Sequence, residues 1–384
     1  MPIRPRLIAT LTIVLVLIAG CGTATPVLTH LSSPDGAAPT PIPATATRSS
    51  PAGAPSPAIT PTVVDRTEGL TEEEAATLNS LEQVDDYPLY TMRYVGSYER
   101  AASAIAMQSA DRPVSAARPA ASPAWACSLF AAMGDAANRL YGRNFDWEWS
   151  PALLLFTDPP QGYASVSMVD MAYLGFWGSE MRALLELSLS ERRRLLAAPL
   201  LPFDGMNEQG LVVGMAAVPP GDVRSDPAKA TVGSLEVIRQ MLDRASNVDE
   251  AVAILQSYNV DMSGGPPVHY LLADRSGRSA LVEFYQGEMV VIPNQTSWHL
   301  ATNFLRASVQ DAQGQCWRYD KLSQALAAAT GQLSQQEVMD LLAAVSQPGT
   351  HWSIVYGMNS GDIEVAMGQA FEKLYRFHLA PARE

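Results

Sequence analysis

Cys127 is the residue of this chain with the most chemistry to offer, because Arg143 and Asp146 follow it at +16 and +19 within Gly142-Arg143-Asn144-Phe145-Asp146-Trp147. Thiolate, not thiol, is the reactive form of cysteine, and a nearby guanidinium lowers the thiol pKa. A carboxylate beside the pair can hold an amine or ammonium in place. Thiol, guanidinium and carboxylate together make an arrangement for activating a nucleophile. A structural alternative is a Cys127–Cys316 disulfide, since Cys21, Cys127 and Cys316 are the three cysteines of the chain and secreted proteins often use such bridges. A large domain does not need one staple, which favours the catalytic reading.

The elements that must position these residues follow from local patterns. Thr71-Glu72-Glu73-Glu74 has capping-box spacing ahead of a short helical pattern through Leu78 and Leu81, and Leu89–Tyr94 reads as a strand. The Ala-rich, Pro-punctuated stretch 101–123 reads as part helix and part loop. Strand-type runs then cover 139–145, 153–157, 163–171 and 210–218, with a Leu-rich helical block at 181–198. Leu235, Ile238, Met241 and Leu242 share one helical face, and Asn247 with Glu250 caps the next helix, which carries Ala251, Ile254 and Leu255. Strands are expected at 269–273, 280–284, 289–292 and 300–302, helices at 317–329 and 334–345, and closing strands at 352–356, 363–366 and 374–377. Strands, a helix group, strands and helices again point to an α+β fold of two sheets with helices outside, not to alternating βαβ units.

The first 65 residues have a different character. Arg4 and Arg6 precede an apolar run, 7–20, that is too short to span a membrane but has the length and flanks of a secretory signal. The run ends Leu17-Ile18-Ala19-Gly20-Cys21, which resembles a bacterial lipobox, so residues 1–20 are expected to be a signal peptide and Cys21 the lipidated first residue of the mature protein. Residues 21–65 are Ala, Thr, Pro, Ser and Gly with almost no large apolar side chains, a composition that cannot offset its ordering entropy and reads as a disordered tether. The net charge of −13 gives no basic footprint for nucleic acid, so membrane contact is expected through the lipid alone, in an extracytoplasmic location. Downstream of the tether, length and the lack of a second linker imply one large domain.

Cys127, Gly142-Arg143-Asn144-Phe145-Asp146, Asp204-Gly205-Met206-Asn207-Glu208-Gln209-Gly210-Leu211, Thr302-Asn303 and Trp352-Ser353-Ile354-Val355-Tyr356 occur in an order that resembles the choloylglycine hydrolase family of linear amide C–N hydrolases. That family includes bile salt hydrolases, penicillin V acylases and relatives of acid ceramidase and N-acylethanolamine amidase. The resemblance implies the four-layer αββα sandwich of N-terminal-nucleophile hydrolases, with two antiparallel sheets flanked by helices. It also implies self-cleavage of the Ala126–Cys127 bond, which divides the chain into a prosegment, 66–126, and a catalytic domain, 127–384. The free α-amine of Cys127 would then serve as general base, with a pKa near ~8.

Residue by residue, the resemblance makes Cys127 the nucleophile that forms a thioester. Arg143 would sit by the sulfur and favour thiolate, and Asp146 would hydrogen-bond the freed amine. Asn303 would donate to the tetrahedral oxyanion, with a backbone N–H near Ala217 as second donor. Arg318 would stabilise the site electrostatically, and Asn207 is expected mainly to shape its turn. The substrate would be a small N-acyl amide, and no cofactor or metal is implied. Where several bile-acid and penicillin-cleaving members carry Asn or Tyr after the Gly-Leu strand, this chain has Met215-Ala216-Ala217, so a polar or aromatic substrate contact is missing.

Other readings compete. The same thioester would serve an acyltransferase, and a chain that keeps Ala126–Cys127 intact would be a catalytically inactive surface lipoprotein. A papain-like peptidase would pair Cys127 with His269 or His299, but the Gly-Cys-Trp surroundings of that family are missing. Trp147, Trp149, Met168 and Met171 could line an acyl pocket, although such residues more often build ordinary core. Acyl and amine specificity and oligomeric state stay open at this level.

Overall fold

The structure, a computed structural model, describes residues 69–98, 101, 126–177, 184–221 and 223–382. The signal-like run, Cys21, the tether and most of the stretch 101–123 lie outside the described residues. The N-terminal segment supplies α1 (Glu72–Asn79), β1 (Glu82–Asp85) and β2 (Leu89–Tyr94). Cys127 leads into β3 (Ser128–Ala132), followed by β4 (Leu140–Asp146), β5 (Ala152–Thr157) and β6 (Ser165–Asp170). A short helical piece, α2 (Leu189–Arg192), precedes β7 (Asp204–Asn207), β8 (Val212–Ala217) and β9 (Ala230–Gly233). Next come α3 (Glu236–Arg244), α4 (Val248–Ser257), β10 (Tyr258–Asp261), β11 (Val268–Ala273), β12 (Ser279–Tyr285), β13 (Glu288–Pro293) and β14 (Trp298–Ala301). The last elements are α5 (Trp317–Ala328), α6 (Gln335–Ala344), β15 (Thr350–Gly357), β16 (Asp362–Met367) and β17 (Leu374–His378).

These strands form two large sheets, β1-β2-β5-β6-β7-β8-β11-β12-β13 and β14-β3-β4-β15-β16-β17. Alternation along each strand decides which layer a side chain joins. On β5, Ala152 and Leu154 pack in the cluster shared with Leu129, Tyr141, Trp352 and Ile354 of the other sheet, while Leu153 and Leu155 join Leu78, Tyr90 and Leu195 on the outer face. α3 buries Val237, Ile238, Met241 and Leu242. Over the second sheet, Leu322, Leu326, Val338 and Leu342 of α5 and α6 pack on Phe130, Leu140, Leu300 and Val355. The result is helix, sheet, sheet, helix, the four-layer α+β sandwich expected from the sequence.

The sheets approach closely at Gly214, where an added Cβ would lie 2.5 Å from the Tyr141 hydroxyl oxygen and 2.6 Å from Leu129 Cδ2. Thr71 completes its capping box with Glu74, and Asn247 accepts from the Glu250 N–H, as the sequence suggests.

Two expectations are corrected. The larger sheet is not wholly antiparallel, because β2 enters from the N-terminal segment and runs parallel to β5 over six residue pairs. Among the described residues, the helical block expected at 181–198 holds α-helix only over Leu189–Arg192; Arg193–Leu200 is a 3-10 stretch containing Pro199, which fixes φ and lacks an N–H. Residues 178–183 lie outside the described residues.

Candidate active site

Strand pairing assembles the site. β3 lies between β4 and β14, with Ser128 opposite Asn144 and Leu129 opposite Ala301. Continuing those antiparallel registers by one or two residues brings Cys127 alongside the end of β4 and the Thr302-Asn303 segment after β14. The Cys127 backbone N–H donates to Asn303 Oδ1 at 2.7 Å. Asn303 Nδ2 in turn donates to the Ala217 carbonyl at 2.7 Å.

Arg318, in the first turn of α5, closes the group from the second sheet's outer helices. Its Nη2 donates to Asn303 Oδ1 at 2.8 Å, and its Nη1 donates to Ser128 Oγ at 3.0 Å and to the Cys127 carbonyl. The same Nη1 stands 4.0 Å from Asp146 Oδ2. Two donors on Oδ1 and one acceptor for Nδ2 fix which way the Asn303 amide points.

The remaining charges are buried as well. Asp146 Oδ1 accepts from Thr350 Oγ1 at 2.5 Å, while its buried Oδ2 has no hydrogen-bond partner among the described residues. Arg143 Nη1 donates to Asp204 Oδ2 at 2.5 Å and to the Phe203 carbonyl. Asp204 also accepts from the Tyr356 hydroxyl at 2.5 Å and from Trp352 Nε1 at 3.4 Å.

Burial dominates the electrostatics. It pushes the Cys127 thiol up; the guanidinium of Arg143 is the largest opposing influence, and the charge of Asp146 adds to the rise. In the uncut chain the thiol is therefore the favoured form even with two arginines close by, so the expected net shift toward thiolate is not what the geometry gives. Burial also raises the Asp146 carboxyl to about 7, against the pull of Arg318, Thr350 and Arg143.

Cys127 opens onto a cavity of about 280 Å³. Its apolar lining includes Phe145, Trp147, Tyr173 and Phe203, whose rings contact one another, with Leu200 and Leu201; Met215 and Ala217 of β8 also line it, as do Glu236, Asp261 and Ser263. Of the four Trp and Met residues named from the sequence, Trp147 lines this cavity, Met168 and Met171 are core, and Trp149 is exposed.

The structure thus brings Cys127, Asp146, Ala217, Asn303 and Arg318 into one group, with Arg143 acting on the sulfur and Ala126 adjacent in the chain. Asn207 lies apart. Its Nδ2 donates to the Leu242 and Ala245 carbonyls at 2.9 and 2.7 Å and its Oδ1 accepts from the Gln209 and Leu211 N–H groups, tying its turn to the end of α3. The Cys127–Cys316 disulfide does not form: Cys127 is a free thiol in the inter-sheet cluster, whereas Cys316 packs between the second sheet and its outer helices. His269 hydrogen-bonds Glu283 at 2.9 Å and His299 hydrogen-bonds Ser279 at 2.8 Å, and neither lines the cavity.

Sequence reasoning missed Asp204, Thr350 and Ser128. Asp204 had a signal, because an arginine in the fully buried strand β4 demands a buried counter-charge.

The model of the linear amide C–N hydrolases, choloylglycine hydrolase family, matches residues 127–334. Among solved structures, the chain is similar to a mutant conjugated bile acid hydrolase from Clostridium perfringens at 15% identity, covering 66% of this chain and 92% of that one, with a TM-score of 0.48. It is also similar to penicillin V acylase from Agrobacterium tumefaciens at 15% identity, covering 66% and 86%, with a TM-score of 0.46. An uncharacterized protein of Paramecium bursaria Chlorella virus 1 is 33% identical over 101 residues, which span 24% of this chain and 36% of the length of that relative. The family match begins at Cys127 itself and runs through Asn303 and Arg318, and on its extent the chain belongs to the choloylglycine hydrolase family of linear amide C–N hydrolases.

Proposed function

We propose that this protein is an N-terminal-nucleophile amidase that cleaves the linear C–N bond of a small N-acyl substrate through a Cys127 thioester. The observation that carries this reading is a buried thiol at the head of β3, opening onto a cavity with aromatic and leucine side chains and no histidine among its described lining residues. A thiol kept neutral by burial needs a proton acceptor at the moment of attack. An α-amine at Cys127 would be that acceptor, adjacent to its own side chain and with an ordinary pKa near ~8.

The amine would arise by self-cleavage. Cys127 Sγ attacks the Ala126 carbonyl carbon, the peptide nitrogen leaves as the Cys127 amine, and water then hydrolyses the resulting thioester to free the thiol and the Ala126 carboxylate. In turnover the amine takes the Sγ proton as sulfur attacks the substrate carbonyl. The proton passes to the departing amine, and water releases the acid from the thioester. Asp146 Oδ2, buried and without a hydrogen-bond partner among the described residues, would hold the Cys127 ammonium. Asn303 Nδ2 would exchange the Ala217 carbonyl for the oxyanion while Arg318 keeps hold of Oδ1, and a backbone N–H near Ala217 would add a second donor.

The N-terminal piece would stay bound after scission. β2 pairs with β5 along its whole length, and Leu78 of α1 with Tyr90 and Met92 of β2 is fully or almost fully buried in one cluster with Leu195 and Leu196 of the 3-10 stretch. A lipid on Cys21 would then hold the two-chain enzyme at an extracytoplasmic membrane surface. Intact-mass measurement after size exclusion tests this reading. A fragment beginning at Cys127 that co-elutes with its N-terminal partner is expected, and Cys127→Ala should remove both scission and turnover. An uncut chain that still hydrolyses amides would overturn it.

A further inference from the structure

The cavity at Cys127 has two chemically different sides. Phe145, Trp147, Tyr173, Leu200 and Phe203 make one of them. The other comes from the ends of β9 and β10, which run side by side with Gly233 opposite Asp261 and the Ser234 N–H donating to the Asp261 carbonyl at 3.0 Å, and it carries the polar lining residues Ser234, Glu236, Asp261 and Ser263. Two carboxylates stand on that edge, Glu236 and Asp261, and no lysine, arginine or histidine is among the described lining residues. Asp261 accepts from the Ser263 N–H at 2.9 Å and the Ser263 hydroxyl at 2.8 Å, bonds that hold its pKa below the usual carboxylate range and keep it ionised.

One feature opposes these charges. The amino end of α3 reaches the cavity at Leu235 and Glu236 with no side-chain cap, and a helix start favours an anion. Its effect is equivalent to about half a positive charge. Glu236 sits in that first turn and more than offsets it, so with Asp261 the net charge on this side is negative.

Resting on the amidase reading, we propose that this site takes amides whose acyl part is apolar and whose amine part is neutral or cationic, and rejects amine parts that end in a carboxylate. The acyl group lies on the aromatic and leucine wall, and the amine part faces Glu236 and Asp261. Amides of glycine and other amino acids are then poor ligands, and amides of amino alcohols or diamines are good ones.

The test uses one acyl chain with three amine parts: N-octanoylglycine, N-octanoylethanolamine and N-octanoyl-1,4-diaminobutane. Calorimetry on the purified protein measures binding of their non-cleavable ketone isosteres, in which CH₂ replaces the amide N–H, and turnover of the amides themselves is followed separately. The glycine isostere should bind at least about tenfold more weakly than the diamine isostere, a difference of ~1.4 kcal/mol. Raising the salt should shrink the gap, and the paired change Glu236→Gln with Asp261→Asn should bring it to within about twofold. Equal binding of the glycine isostere, a gap unmoved by the paired change, or no binding of any isostere overturns the proposal. If the binding order holds but no amide is cleaved, the amidase reading falls and the charge selection stands. Cleavage of all three without a binding order gives the reverse.

Discussion

Arg143 on β4 and Asp204 on β7 form an ion pair 2.5 Å long between the two sheets, with neither side chain exposed to solvent. The guanidinium that most strongly lowers the Cys127 pKa is therefore held by a carboxylate from the opposite layer. The electrostatic surroundings of the Cys127 thiol and the packing of the sandwich share one contact.

Asp204→Asn leaves a buried guanidinium without its counter-charge. Breaking a buried pair from one side costs about 3–5 kcal/mol. Urea unfolding should show the free energy of unfolding fall by an amount of that order, while replacing both partners by apolar residues should cost less.

Asp146 gives the stability curve a pH dependence whose sign follows from its raised pKa, about 7 folded against 3.8 ordinarily. The folded protein binds the proton more tightly, so this contribution is fully present below pH 3.8 and is lost as pH rises through about 7. Urea midpoints measured between pH 4 and pH 8 should fall with pH in the parent protein, and Asp146→Asn should flatten that decline.

Asn303→Ala removes one acceptor shared by the Cys127 N–H and Arg318, together with the amide donor now on Ala217. Loss of an oxyanion donor slows turnover by roughly 10²–10³-fold. Single-turnover rates on an N-acyl amide should drop by that factor, and the rate of scission at Cys127, followed by mass, should drop with it.

Gly214→Ala puts a methyl group 2.5 Å from the Tyr141 hydroxyl oxygen, whose own bond to the Leu271 carbonyl is 3.0 Å long. Overpacking between the sheets costs about 1–3 kcal/mol. Thermal unfolding should occur at a lower temperature than in the parent, and Ala216→Gly should lack any such steric signature.

Local signals in the sequence mapped well onto the structure where the cause is local. Thr71 with Glu74 and Asn247 with Glu250 are contacts between residues three apart, and the limits of β2 follow from its own run of side chains. The spacing of Arg143 and Asp146 from Cys127 was legible because β3 and β4 are joined by a short connection, so sequence distance nearly equals register. Asp204 was not, since its partner lies 61 residues away on the other sheet. The parallel placement of β2 was hidden for the same reason, as no hairpin or crossover helix in the sequence announces it. The Leu-rich stretch misled by composition: Ser188 and Glu191 start a helix, and Pro199 lies in the 3-10 stretch that replaces it.

The N-terminal strand also bears on how the molecule recovers from damage. In one continuous chain β2 reaches β5 within the molecule, and reassembly after denaturation is a first-order event. With the proposed scission at Cys127 the same pairing would join two molecules, so renaturation would become second order and fail on dilution. A lipid on the short fragment would deepen the effect by holding it at a surface while the long one diffuses away. Scission would thus make maturation a one-way step, and the enzyme's working lifetime would be set by how slowly β2 leaves its neighbour.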